Sequence, residues 1–268
     1  MIRDITIEIC AGSLSDVLAA SSVRGTDRIE LNSALELGGL TPSAETLRMA
    51  REMSDRKLIC MVRPRPAGFV YNETEKASMM KDAEAFLKDG ADGIVFGCLK
   101  EDLTVDEEYT KQMSDLIHRY GKEAVFHKAF DETPDLFEAC RTLAECGIDR
   151  ILTSGGKEDV SAGADMIRDL QKAFGSKIEI LPGGGVSETN AANILKHTGC
   201  RSIHMSAKRT CHDCGDYYAV DPERIRKIIQ TIEAAKPKHL SGEDIMMLRN
   251  DTYENTVISY EDDGRDRY

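Results

Sequence analysis

The stretch "AVFHKAFDE" sets an imidazole, an amine and two carboxylates at the end of an apolar run. In an extended strand, alternation sends His127 and Ala129 to one face and Lys128 and Phe130 to the other. His127 is therefore the candidate acid/base, because a free imidazole titrates near neutrality and a neighbouring carboxylate tunes it in either direction. Glu8 in "ITIEIC", Glu30 in "RIELN" and Asp131 are the carboxylates available to it. Charges inside such apolar runs are costly unless paired, so they imply a polar cavity. The plainer alternative is a histidine hydrogen-bonded to Glu8 or Glu30 in a satisfied polar core.

Arg63 and Arg65, in "RPRP", offer planar cationic forks suited to a carboxylate or phosphate, or to an ion pair with Glu8 or Glu30. Thr153 and Ser154 end "RILTS". "LPGGGVS", with Gly184 and Gly185, and "HMSAK", with Ser206, provide backbone N–H groups and a hydroxyl where a phosphate would sit; a tight turn uses the same glycines.

"TCHDC" has the look of a metal clip. Cys211 and Cys214 have C-x-x-C spacing, His212 lies between them and His204 is just upstream. A lone C-x-x-C lacks the second ligand pair of a structural zinc site, which favours a loop near solvent over a soft-metal site. Glu8, Glu30, His127 and His204 form an oxygen and imidazole set that would suit a divalent ion such as Zn, Mn or Fe. No H-x-x-E or H-x-H spacing supports it, and ion pairing explains the same residues.

The elements that must position these groups follow from periodicity. Short apolar runs ("ITIEIC", "RIELN", "LICMVRP", "GIVFGCL", "AVFHKAF", "RILTSGG", "IEILPGGGV", "SIHMSA") alternate with amphipathic segments. Alternating strands and helices imply parallel pairing through right-handed crossovers. Eight such units predict an α/β fold, a single-domain TIM (β/α)8 barrel over residues 1–235, with function at the C-terminal ends of the strands. The polar stretch 236–268 reads as an extra C-terminal tail, either mobile or an arm on a partner subunit that would make a homo-oligomer.

Composition limits the function classes. A chain of 268 residues, 41% hydrophobic and 31% charged, fits a soluble globular domain. No apolar run spans a bilayer, and "MIRDITIEIC" has no export signal, so the expected location is cytoplasmic. There the eight cysteines stay reduced, most of them as small core residues. A net charge of −12 argues against nucleic acid as a partner but allows a local basic pocket for a small anionic ligand.

The strand ends, taken in order, carry more. "IEIC", "DRIELNSALELGGLTPS", "VRPRPAGFVY", "DGIVFGCL", "FHKAFD", "ILTSGG", "LPGGGV" and "HMSA" resemble the CutC copper homeostasis family over residues 4–235. The resemblance implies a cytoplasmic TIM barrel linked to copper tolerance, with mouth residues Glu8, Glu30, Arg63, Arg65, His127, Asp131, Thr153, Ser154 and His204. Three departures stand out: Asn32 where the family often has Cys after "IEL", Lys128 where it has Arg, and Met205 where it has Cys or Ser. Cu(I) prefers thiolate and thioether, so Asn32 weakens a copper site built on Cys10.

Two functions follow. One is copper binding, with Cys10, Met205, Cys211, Cys214 and His204 as ligand candidates and Cu(I) as the ion. The other is an enzyme (lyase, isomerase or hydrolase) on a small anionic or sugar-like substrate. In it His127 is acid/base, Glu8 or Glu30 its partner, Arg63 and Arg65 the anion clamp, and Gly184, Gly185 and Ser206 the phosphate cradle.

Overall fold

The computed structural model describes residues 5–235. Eight parallel strands, β1 Thr6–Ala11, β2 Arg28–Leu31, β3 Lys57–Met61, β4 Gly93–Phe96, β5 Glu123–Phe126, β6 Arg150–Thr153, β7 Glu179–Pro182 and β8 Ser202–Met205, form one sheet. Their order is β7-β6-β5-β4-β3-β2-β1-β8. β7 and β8 meet at the remaining seam, where Ser202 Oγ donates to the Ile180 carbonyl at 3.4 Å. The sheet is thus a nearly closed barrel, the expected TIM architecture.

Helices α1 Leu14–Ser21, α2 Ala44–Met53, α3 Glu73–Lys88, α4 Glu107–Arg119, α5 Leu136–Glu145, α6 Ala164–Phe174, α7 Ala191–Thr198 and α8 Pro222–Ala234 surround it. Local chemistry sets their starts: the Ser13, Ser43, Asn72, Asp106 and Asp135 side chains each accept from a first-turn N–H. Gly90, Gly147 and Gly199 take left-handed φ of +96°, +80° and +72° where a helix turns into the next strand. That conformation is one glycine adopts without strain.

Alternation divides the side chains into two environments. Ile7, Ile9, Ile29, Leu31, Leu58, Ile94, Phe126 and Ile203 pack outward in the core beneath the helices. Ile59, Met61, Val95 and Val125 form a separate apolar plug inside the barrel. Toward the N-terminal ends of the strands the interior is ionic. Arg28 bonds Glu8 (2.8 Å) and Glu123 (2.5 Å), and Arg150 bonds Glu123 (2.8 Å) and Glu179 (2.7 Å).

One element departs from expectation. The segment read as a loop after β8 is an antiparallel hairpin, β9 Lys208–His212 and β10 Asp216–Val220. Asp16 anchors it, accepting from Val220 N at 2.7 Å while its other oxygen takes Gly12 N at 3.0 Å. Residues 236–268, expected as a tail, lie outside the described part.

Candidate functional site

A cavity of about 160 Å³ opens at the C-terminal ends of the strands. Of the residues singled out from sequence, Cys10, Glu30, Arg63, His127 and His204 line it, together with Asn32, Met61, Phe69 and Lys128. Period-two alternation explains the company: Glu8 and Cys10 on β1, and Arg28 and Glu30 on β2, share the inward face.

The left side of this cavity is an acid and imidazole cluster. Glu8 lies beneath it, 2% exposed, with one oxygen on Arg28 and the other 2.8 Å from His204 Nδ1. Burial would raise the Glu8 carboxyl, but the Arg28 guanidinium and then His204 hold it well below the usual carboxylate range. Burial opposes charge on His204 too, yet Glu30 and Glu8 outweigh it and raise its pKa above 6.5. The two carboxylates thus favour the protonated form of His204, whose Nδ1 faces Glu8. Asn32 Nδ2 donates to Glu30 Oε2 at 2.8 Å and approaches Cys10 Sγ at 3.5 Å. Burial, then Glu30, push the Cys10 thiol well above its ordinary value. Ligand atoms of Cys10, Glu30 and His204 lie within 4.8 Å of one another, the group of that kind found among the described residues.

His127 occupies different surroundings from those expected. Its carboxylate partner is neither Glu8 nor Glu30: its Nδ1 accepts from Ala129 N at 3.1 Å and its Nε2 has no partner. Burial, then the Arg63 guanidinium, push its pKa down to about 3. A neutral imidazole whose Nδ1 accepts carries its proton on Nε2. At neutral pH His127 is a fixed hydrogen-bond donor rather than a poised acid/base.

Arg63, 6% exposed, spends its Nη1 on the Leu37, Gly38 and Gly39 carbonyls (3.3, 3.1 and 3.0 Å) and its Nη2 on the Ala67 carbonyl (2.8 Å). No carboxylate among the described residues pairs with it. Arg65 turns away to Glu75 at 2.5 Å and stacks over Tyr71, so it does not join an anion clamp with Arg63.

Asp131 is consumed as a clamp. Its oxygens accept from Thr153 Oγ1 (2.5 Å), Ser154 N (3.0 Å), Ser154 Oγ (3.1 Å) and Gly156 N (2.9 Å). Thr153, Ser154 and Asp131 tie the end of β6 to the turn after β5 and do not line the cavity. Gly184 and Gly185 take φ of +101° and +79° but spend their carbonyls on Val160 N and Asn190 Nδ2; neither lines it. Ser206 lines a neighbouring cavity of about 460 Å³ under the hairpin, with Lys208 and Tyr218. Gly184 lies beside Lys128, whereas Ser206 faces the neighbouring cavity.

The sulfur candidates separate in the same way. Met205 packs outward in the core with Ile9, whereas Met61, unremarked in the sequence, lines the cavity. Cys211 is in β9 and Cys214 is exposed in the hairpin turn at φ +51°; neither joins His204. Their neighbour His212 bonds Asp216 instead, at 2.9 Å.

Comparison with known proteins agrees with this frame. The CutC family model matches residues 5–209. A Treponema denticola CutC family protein is 44% identical over 205 residues, covering 76% of this chain and 82% of its own. One from Mesorhizobium japonicum is 40% identical over 202 residues, 75% of this chain and 77% of that one. The crystal structure of the Streptococcus agalactiae CutC, linked by name to copper homeostasis, superposes with a TM-score of 0.70 at 31% identity, covering 75% of this chain and 98% of that one. The phosphoribosylanthranilate isomerase of Pyrococcus furiosus, at 14% identity and a TM-score of 0.55, shares the fold alone; it covers 86% of this chain and 99% of that one. The family match over residues 5–209, which spans all eight barrel strands, together with the 44% identical relative, shows that this chain belongs to the CutC family.

Proposed function

We propose that the protein serves copper homeostasis by taking one copper ion at the barrel mouth, on Cys10 and His204 with Glu30 as the third donor. The supporting observation is the convergence of these three ligand atoms within 4.8 Å. Thiolate and imidazole suit copper. Glu30 is a harder donor than Cu(I) prefers, and its charge offsets that of the ion. The Met61 thioether lines the same cavity and is the soft group nearest to replacing the cysteine that Asn32 displaces.

Binding would displace the Cys10 thiol proton and compete with protonation of His204, so affinity rises with pH. Eight cysteines, all free, fit a reducing compartment, and the cytoplasm is the proposed site of action. No described helix is long and apolar enough to cross a membrane.

A competitive Cu(I) titration of the reduced protein against a chelator tests this. Cys10→Ser and His204→Gln are each expected to weaken binding at least about tenfold, in the range seen when metal-site residues are altered. Cys211→Ser/Cys214→Ser should leave it unchanged. Loss in the hairpin variant and not in Cys10→Ser would overturn the assignment.

A further inference from the structure

The opposite wall of the mouth cavity makes a second demand, one that copper does not meet. Arg63 brings a full positive charge there with no carboxylate partner among the described residues, and its Nε has no hydrogen-bond partner. The Tyr71 hydroxyl beside it can take one N–H but cannot neutralise the charge. His127 Nε2, a donor by the tautomer its Nδ1 imposes, is also unpaired. Lys128 adds an ammonium donor to the same cavity, ion-paired with Asp131 at 3.8 Å. This wall of the cavity therefore carries a guanidinium with no carboxylate partner among the described residues and an unpaired neutral donor.

We propose that Arg63, His127 and Lys128 form a binding site for a small carboxylate carrying an adjacent carbonyl or hydroxyl oxygen. The carboxylate answers the cations, and the adjacent oxygen accepts from His127 Nε2–H. About 160 Å³ holds roughly five water-sized groups, which sets the ligand at three or four carbons. The planar Arg63 guanidinium matches a planar carboxylate in geometry.

Phe69 is the gate. Its ring lies 5.1 Å from Arg63 Cζ and 4.9 Å from the His127 ring centroid, covering both unpaired groups. It belongs to a turn whose neighbours Ala67 and Gly68 are exposed. Outward rotation of Phe69 uncovers the donors without disturbing a strand. This site shares the cavity of the copper reading but none of its ligand residues, Cys10, Glu30 and His204.

The test is calorimetric titration of the full chain, freed of metal by a chelator, with pyruvate, L-lactate, propionate and inorganic phosphate. Saturable binding of pyruvate or lactate is expected, tighter than propionate, weakened about 10- to 100-fold in Arg63→Gln and in His127→Phe. Cys211→Ser/Cys214→Ser, in the hairpin away from this cavity, should bind as the parent does. Nitrogen NMR of histidine-labelled protein gives a readout that needs no variant to fold: His127 Nε2 should be protonated, and its signal should move on adding pyruvate. Binding of phosphate alone, binding unaltered in His127→Phe, absence of saturation by any of the four, or a His127 proton on Nδ1 would each overturn the proposal.

Discussion

His204 and Glu8 face each other across the β8–β1 seam, Nδ1 to Oε1 at 2.8 Å, and the other Glu8 oxygen is held by Arg28 Nε at the same distance. The chain of contacts continues through Glu123 and Arg150 to Glu179. One ionic string thus runs through the barrel interior to its mouth and favours the protonated form of the imidazole there. Removing one partner strands a buried charge, which costs far more than the pair contributes net. Arg28→Met is therefore expected to lose about 3–5 kcal/mol of stability in urea unfolding. A loss below about 1 kcal/mol would mean the string is solvated.

The clamp at Asp131 is a different kind of polar site, built to hold a turn. Asp131→Ala leaves Thr153 Oγ1, Ser154 N and Gly156 N without their acceptor. Buried donors left unpaired cost about 1–3 kcal/mol each, partly relieved here by solvent at Gly156. A total of about 2–4 kcal/mol is expected, with faster amide exchange at Ser154 and Gly156. Unchanged exchange there would remove the clamp role.

Much of this site was legible in sequence because strand alternation is local. Glu8, Glu30, His127 and His204 each point inward by the two-residue period, and the apolar runs count out the barrel. The same rule, applied to "RIELN", sets Arg28 on the face of Glu30, and applied to "SIHMSA" turns Met205 away from His204. Pairing was not legible. Glu8 meets Arg28 because β1 and β2 align Glu8 with Arg28, a register set by packing 20 residues apart. The fate of Arg65 and Asp131 rests on loop contacts that no period encodes. The C-x-x-C of "TCHDC" has metal-site spacing, but hairpin pairing puts Cys211 on a strand and Cys214 in the turn.

Thiol chemistry should separate the eight cysteines. Cys214 is exposed and Cys211 half-buried, while five others are buried and Cys10 lies in the mouth cavity with its thiol pushed up. A thiolate is the reactive form. Under native conditions a disulfide reagent is expected to modify Cys214 first and Cys211 next, with Cys10 slower than either. Mass spectrometry of the modified peptides checks the order; rapid labelling of Cys10 would contradict its placement beside Glu30.

Stability toward acid should depend on His127. Its pKa is about 3 in the fold and 6.5 when free, so the unfolded chain binds a proton that the folded chain refuses. The favourable contribution is whole above pH 6.5 and is lost as pH falls from there toward 3. His204 acts in the opposite sense: with its pKa raised, its contribution is whole below 6.5 and fades at higher pH. The two histidines thus tilt the curve on opposite sides, and only His127 belongs to the acid limb. Between pH 7 and pH 4.5, His127→Phe should lose less stability than the parent by on the order of 2–3 kcal/mol. Urea midpoints at the two pH values decide it: parallel losses in both proteins would mean that His127 takes its proton in the fold, and that its Nε2 is not the fixed donor of the mouth.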